Sequence, residues 1–202
     1  MDVTPETILD FWFPAQPYSP EALATAGKLW FESTADQDEF VRLTFGHHLN
    51  QARGGDLDHW KTTSNGRLAL ILILDQFTRC VHRGTPQAFS GDRAALNLAM
   101  TGIEQGLDTP LNVLQRQFFY MPFQHIEDID VQDQAVELFR QLAMKAEDDV
   151  KPLLQVAAQY ALLHRDIVAE FGRFPHRNRI LGRHNTVEED DYLAADAPTF
   201  GQ

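Results

Sequence analysis

The sequence predicts an all-α protein built as stacked antiparallel helical hairpins, with roughly eight to ten helices. Three observations carry that expectation. Apolar residues recur at helical spacing along most of the chain, period-two alternation is almost absent, and short breaks of Pro, Gly, Asn and Asp separate the periodic stretches. The 202 residues, 44 % hydrophobic and 23 % charged, suffice for a substantial core, and no linker or low-complexity stretch divides them, so a single domain over 1–202 is expected.

The elements follow in order. Thr4 caps a helix begun by Pro5 that carries Ile8, Leu9, Phe11, Trp12 and Phe13 and stops at Pro14. The loop Pro17–Pro20 restarts a short helix around Glu21 to Ala26, followed by the aromatic patch Lys28-Leu29-Trp30-Phe31. Phe40, Leu43, Phe45 and Leu49 define a helix from about Asp36 to Arg53, ended by Gly54-Gly55. After a turn holding Leu57 and Trp60, Ser64-Asn65-Gly66 introduces a central helix over roughly 65–82. Gly84-Thr85-Pro86 breaks it, and Ser90 opens the next, ending at Gly106. Thr109-Pro110 starts a helix through Leu114, Phe118 and Met121 that Pro122 kinks or ends. Further helices are expected over about Val131 to Lys145 and from Pro152 to Phe171, the latter closed by Gly172. Arg173 to Arg183 reads as an irregular basic loop. Thr186 with Glu189 fits a capping box for a last helix ending near Leu193, and 194–202 reads as a frayed tail. No side-chain pattern recurs at a period near that of helical repeats.

Composition excludes several classes. A net charge of −12 argues against nucleic acid and anionic membrane as partners, since both select basic surfaces. One cysteine, Cys80, allows neither a disulfide framework nor a paired-cysteine metal site and suits a reducing cytosol. The N-terminal stretch carries acids where a signal peptide carries basic residues, and Leu68 to Leu74 is too short to span a bilayer. A cytoplasmic protein without membrane attachment is therefore expected. No phosphate-binding loop, dinucleotide fingerprint, nucleophile elbow or metal motif is found, so neither a cofactor nor a metal is expected.

Four stretches could carry chemistry. In the first, the all-round apolar run from Leu68 continues without a break into Asp75, Gln76, Arg79, His82 and Arg83; Asp75, Arg79 and His82 share one helical face at i, i+4, i+7. Charge at the end of a buried helix is costly unless paired, so an Asp75–Arg79 salt bridge is the minimum expected there. In the second, His125, Glu127 and Asp128 follow an aromatic run and a proline; a His beside a carboxylate suits proton transfer, and Asp128 or Asp130 equally suits a helix cap. The third, His164-Arg165-Asp166, places His164 on an apolar stripe, where a satisfied core histidine is the simpler reading. The fourth, Arg173 to Arg183, gathers Arg173, His176, Arg177, Asn178, Arg179 and Arg183 in an otherwise acidic chain. Such forks suit carboxylate or phosphate, or stitch the segment to acidic helix ends.

Taken together, Ile8 to Phe13, Trp30-Phe31, Leu68 to Phe77 with Arg79, Arg83-Gly84-Thr85, Ala88-Phe89 with Asp92, Phe118 to Pro122 with His125, Glu127 and Asp128, Gln132, Phe171 to Asn178, Leu181-Gly182-Arg183 and Glu188-Glu189 resemble a bacterial family, domain of unknown function 924. The resemblance implies a helical domain similar to tetratricopeptide-repeat superhelices and no established activity. The family pattern has Pro-Arg-Asn where this chain has Thr78-Arg79-Cys80, and Ser in place of Ile126, which weakens any chemical role for positions 78, 80 and 126.

Three readings follow. One is an anionic small-molecule site, with Asp75, Gln76, Arg79, Asp128, Arg173, His176, Arg177 and Asn178 as ligand-binding candidates and His125 and Glu127 as catalytic candidates; it predicts that Arg79, His125 and Arg173 line one cavity. Another is a peptide- or protein-binding module presenting an exposed groove without catalysis. In the third, the charged stretches are structural and tie the C-terminal segment to the central helix.

Overall fold

The structure, a computed structural model, describes residues 3–195, 197, 198 and 200. All regular elements among them are helical. In order they are α1 (Pro5–Trp12), α2 (Pro20–Phe31), α3 (Ala35–Gly54), a 3-10 turn (Asp58–Thr62), a central rod made of α4 (Ser64–Ile71), a π-helical segment (Leu72–Phe77) and α5 (Thr78–Val81), then a 3-10 turn (Pro86–Phe89), α6 (Asp92–Glu104), α7 (Val113–Gln124), α8 (Ile129–Lys145), α9 (Lys151–Phe171), a 3-10 turn (Pro175–Arg177), α10 (Asn178–Leu181) and α11 (Val187–Ala194). With the rod counted as one, the described residues form ten helices.

Sequence accounts for most helix starts. Thr4, Thr34 and Thr186 each accept from the backbone of the third helical residue while that residue's side chain returns a bond, three complete capping boxes. Boundaries differ in several places. Ser90 does not open α6, which begins at Asp92 after Gly91, an N-cap with no side-chain bond, and ends at Glu104. α2 continues through Trp30, whose indole N–H donates to Trp12 O at 2.9 Å and fixes α2 against α1. α7 begins at Val113 because Asn112, not Thr109, makes the cap, in a box with Gln115. Pro122 lies inside α7 without ending it; the break costs little so near the terminus, and His125 becomes the C-cap. The 173–183 segment is not irregular but holds the 3-10 turn Pro175–Arg177 and α10. Of the tail 194–202, residues 196, 199, 201 and 202 lie outside the described residues.

The rod is the hub. Residues 66 to 79 are buried without interruption, and α1, α3, α6 and α7 pack around them. Burial on all sides is what a helix apolar all round demands. Phe77 stacks on Phe45 at 4.9 Å and meets Trp12 edge-on at 5.4 Å, while Trp30 and Phe118 meet at 5.0 Å. α7, α8 and α9 form consecutive hairpins against one side, the α8–α9 pair the most extensive, joined by short loops that enforce antiparallel packing.

The π-helical segment has an identifiable setting. Thr78 sends both its N–H and its hydroxyl to Ile73 O, the latter at 3.1 Å, a five-residue step that widens the turn. The backbone of Gly91 crosses directly over it. A Cβ on Gly91 would fall 1.9 Å from Leu74 O, so only glycine permits this approach. The consequence is positional: Asp92, the next residue and the first of α6, is brought to the charged end of the rod.

Candidate functional site

Asp75 is fully buried in the π-helical segment. Arg79, one turn on, places Nη1 2.9 Å from Asp75 O and 3.2 Å from Asp75 Oδ1, then reaches Asp92 Oδ1 at 2.9 Å. From the far side, Arg177 Nη1 lies 3.3 Å from Asp92 Oδ2 and donates to His125 O at 2.9 Å. Two guanidiniums thus share the Asp92 carboxylate, and both lie against the Phe89 ring, at 5.9 Å for Arg79 and 4.5 Å for Arg177, which also covers Phe174 at 4.5 Å. Gln76 Nε2 donates to Asp75 Oδ2 at 2.5 Å and approaches Met121 Sδ at 3.3 Å.

His125 completes the group, with Nδ1 2.7 Å from Asp75 Oδ1. Its place is set by the α7–α8 turn, where the fully buried Gln132 donates to Gln124 O and Ile126 O, both at 2.8 Å. Burial alone would raise the Asp75 carboxyl, but Arg79 and His125 overcome this and hold it well below the usual carboxylate range. An ionised Asp75 only accepts, so Nδ1 of His125 carries the hydrogen. Burial, then Arg79, lowers the His125 pKa against the pull of Asp75, which keeps the ring neutral at pH 7. Nε2 of His125 makes no hydrogen bond among the described residues. The arrangement is a carboxylate-oriented imidazole with one nitrogen left over, an acid–base geometry.

Two further histidines stand nearby. His164 donates Nδ1–H to Tyr160 O at 2.7 Å and faces His125 with ring centroids 6.3 Å apart. Burial pushes both His164 and His176 down to about 3. Burial also lowers Arg177 to about 10, leaving it charged at pH 7. Two guanidiniums face two carboxylates here, with neutral imidazoles around them. Hydrogen bonding is nonetheless incomplete: Arg79 Nη2, Arg177 Nε and His176 Nδ1 are buried without a partner among the described residues.

The remaining candidates lie outside this cluster. Glu127 accepts the Phe174 N–H at 2.9 Å on Oε1 and both Nη atoms of Arg183, at 2.9 Å on Oε1 and 2.7 Å on Oε2. Burial would raise its pKa; Arg183 and the Phe174 amide lower it instead. Arg173 makes a two-pronged pair with Glu189, at 2.6 and 2.7 Å, and its Nη2 also reaches His184 O at 2.9 Å. No contact among the described residues joins Arg173 to Arg79 or His125, contrary to the expectation that the three share one cavity: Arg173 is held by Glu189 and His184 O. Asn178 is buried and donates to Asn185 and to Glu189. Asp128 is exposed and caps α8 through Asp130 and Val131. His82 leaves the Asp75–Arg79 face because α5 ends at Val81. Burial pushes the Cys80 thiol up to about 12, an inert setting.

Sequence reasoning missed Asp92, Phe89, Gln132 and Arg183 as parts of this region. Arg183 carried a signal as a member of the basic run, while Phe89, Asp92 and Gln132 entered only through the family resemblance, which placed them at no site. Among the described residues no cluster of three or more His, Cys, Asp or Glu could hold a metal ion, and no helix is long and apolar enough to cross a membrane.

Residues 8–197 match the model of a family described as bacterial protein of unknown function, DUF924. A solved structure of a protein of unknown function from Agrobacterium tumefaciens, ATU0120, is similar to the chain at 36 % identity and a TM-score of 0.79, over 95 % of this chain and 97 % of that one. No curated protein matches the chain.

Proposed function

We propose that this chain, which belongs to the DUF924 family of bacterial proteins of unknown function, binds a small molecule carrying a carboxylate or phosphate at the Asp75–Arg79–Asp92–His125–Arg177 cluster, with His125 exchanging a proton with it. One observation carries the reading. Arg79 Nη2 and Arg177 Nε, on two guanidiniums that share one carboxylate, are buried donors without acceptors. Each unmade bond of this kind costs about 1–3 kcal/mol, and an anionic group with two oxygens would satisfy both. The π-helical segment under Asp75 agrees with this reading, because such segments recur at functional sites. The donors are enclosed, so a ligand enters only when the Phe89 loop or the 173–183 segment gives way.

An anion beside His125 raises the affinity of that ring for a proton, so binding takes up a proton and tightens as pH falls toward the pKa of the free imidazole. The test is thermal unfolding with inorganic phosphate and with small mono- and dicarboxylates, repeated on Arg79→Met. Stabilisation of about 2.7 kcal/mol is expected at a hundredfold excess over Kd, lost in Arg79→Met and kept in Arg173→Ala. Absence of stabilisation by every anion, or equal stabilisation of Arg79→Met, removes the proposal.

A further inference from the structure

A second region of the molecule is built for the opposite charge. α1, α2 and the start of α3 enclose a groove of about 800 Å³, lined by Phe11, Trp12, Phe13, Leu29 and Phe40 and rimmed by the carboxylates of Asp10, Glu21 and Asp36. No Lys, Arg or His lines it, and none of the three carboxylates makes an ion pair among the described residues. Glu21 and Asp36 occupy the first turns of α2 and α3, where the helix dipole favours a negative charge. Asp10 does not: it lies in the last turn of α1, where the dipole opposes it and no basic residue compensates. The apolar wall runs on to the surface, with Phe40 50 % and Leu43 70 % exposed on α3. An exposed apolar patch with a polar rim is the pattern of an interaction surface.

We infer that this groove binds a basic amphipathic segment of a partner protein. Its apolar side chains would lie on the aromatic wall, and its Lys or Arg side chains would meet Asp10, Glu21 and Asp36. The inference stands apart from the anion site, sharing none of its residues. Charge complementarity selects the occupant: a groove with three unpaired carboxylates, on a chain of net charge −12, repels acidic segments and further copies of itself.

The test is a tryptophan-fluorescence titration of the full chain with a synthetic helical peptide of Leu and Lys, against its Leu and Glu counterpart. Saturable binding of the Lys peptide is expected, weakening with salt and by tenfold or more in both Phe40→Glu and the triple variant Asp10→Asn, Glu21→Gln, Asp36→Asn. These substitutions lie at exposed positions, and circular dichroism checks that each variant stays folded. Equal binding of the Glu peptide, or unchanged binding of the Lys peptide by the triple variant, overturns the inference. So does an alkylammonium ion that binds as tightly as the peptide, or a dimer in sedimentation that Phe40→Glu dissolves.

Discussion

Two arginines mark the ends of the buried rod, and their surroundings differ in kind. Arg67 is 5 % exposed and Arg79 is 8 % exposed. Arg67 donates to Lys61 O at 3.0 Å, Leu98 O at 2.9 Å, Thr101 Oγ1 at 2.6 Å and Gln105 Oε1 at 2.9 Å, all neutral acceptors. Its charge is spread over dipoles, and burial lowers its pKa. Arg79 works against carboxylates: burial would lower its pKa, but Asp75 and Asp92 raise it, and Nη2 has no partner among the described residues. One end is a finished structural joint, satisfied by one helix and one turn. The other collects charge from three separated stretches, with a neutral imidazole from a fourth, and leaves donors over. A buried cation on its own identifies nothing; ionic partners together with unmade bonds distinguish the second end.

The largest expected effect comes from removing the shared anion. Asp92→Asn removes the one carboxylate that both buried guanidiniums contact and should cost about 3–5 kcal/mol, the range for breaking a buried ion pair from one side. Urea unfolding measures it, and a double-mutant cycle with Arg79→Met should recover part of the loss, because the second change removes the uncompensated charge. A loss below about 1 kcal/mol would mean that the Arg79 end is as loosely coupled as a surface pair.

The complementary change, Arg67→Met, removes a cation whose partners are neutral. It strands no charge and should cost about 1–3 kcal/mol, the scale of a few unmade hydrogen bonds. Stability is expected to fall while anion binding is unchanged. Lost anion binding in this variant would dissolve the distinction between the two ends.

A more gradual effect is expected from pH. His164 and His176 titrate near 3 in the folded chain, against about 6.5 when unfolded. Their folded pKa values are depressed, so the unfolded state takes up protons first, and stability is lost as pH falls below about 6.5. The expected slope is about 1.4 kcal/mol per pH unit for each histidine, continuing toward about pH 3. His125 adds to it in the same direction. Unfolding free energies between pH 7 and 5 should show this fall before the carboxylates contribute; a flat profile would mean that these rings meet water.

The two ends of the rod also differ in how much of them is legible in the sequence. Helices were legible because packing demands periodic apolar residues and breaks demand Pro, Gly or a cap, and the rod was legible because nothing but burial explains Leu68 to Leu74. Where local rules competed, boundaries moved: Thr109-Pro110 and Asn112 are both helix-start signals, and the side-chain bonds of Asn112 decided. Asp75 and Arg79 were legible as neighbours one turn apart, and Arg177 as part of a basic run in an acidic chain. Asp92 was not, since an acid opening a helix reads as a complement to the dipole. Its role depends on Gly91 fitting over Leu74 O, a tertiary contact that no spacing encodes. Arg67 was equally silent, with acceptors that are carbonyls and amides scattered through α6 and the preceding turn.

Glu127 shows the same limit most sharply. Two residues from His125, it looked like the natural partner of that ring, yet His125 turns to Asp75 across the fold and Glu127 holds the Phe174 amide and Arg183. Sequence proximity gave the wrong carboxylate because the α7–α8 turn points the two side chains at different elements. Glu127→Gln tests the strap. The amide keeps an acceptor for Phe174 but turns a two-pronged ion pair into one bond from the Arg183 guanidinium to a neutral oxygen, so a loss of about 1 kcal/mol is expected, the scale of the difference between doubly and singly charged hydrogen bonds. The His125 titration, followed by NMR of the ring protons, should stay at its wild-type position. A His125 pKa that moves by a full unit in this variant would make Glu127, not Asp75, the carboxylate that governs the imidazole.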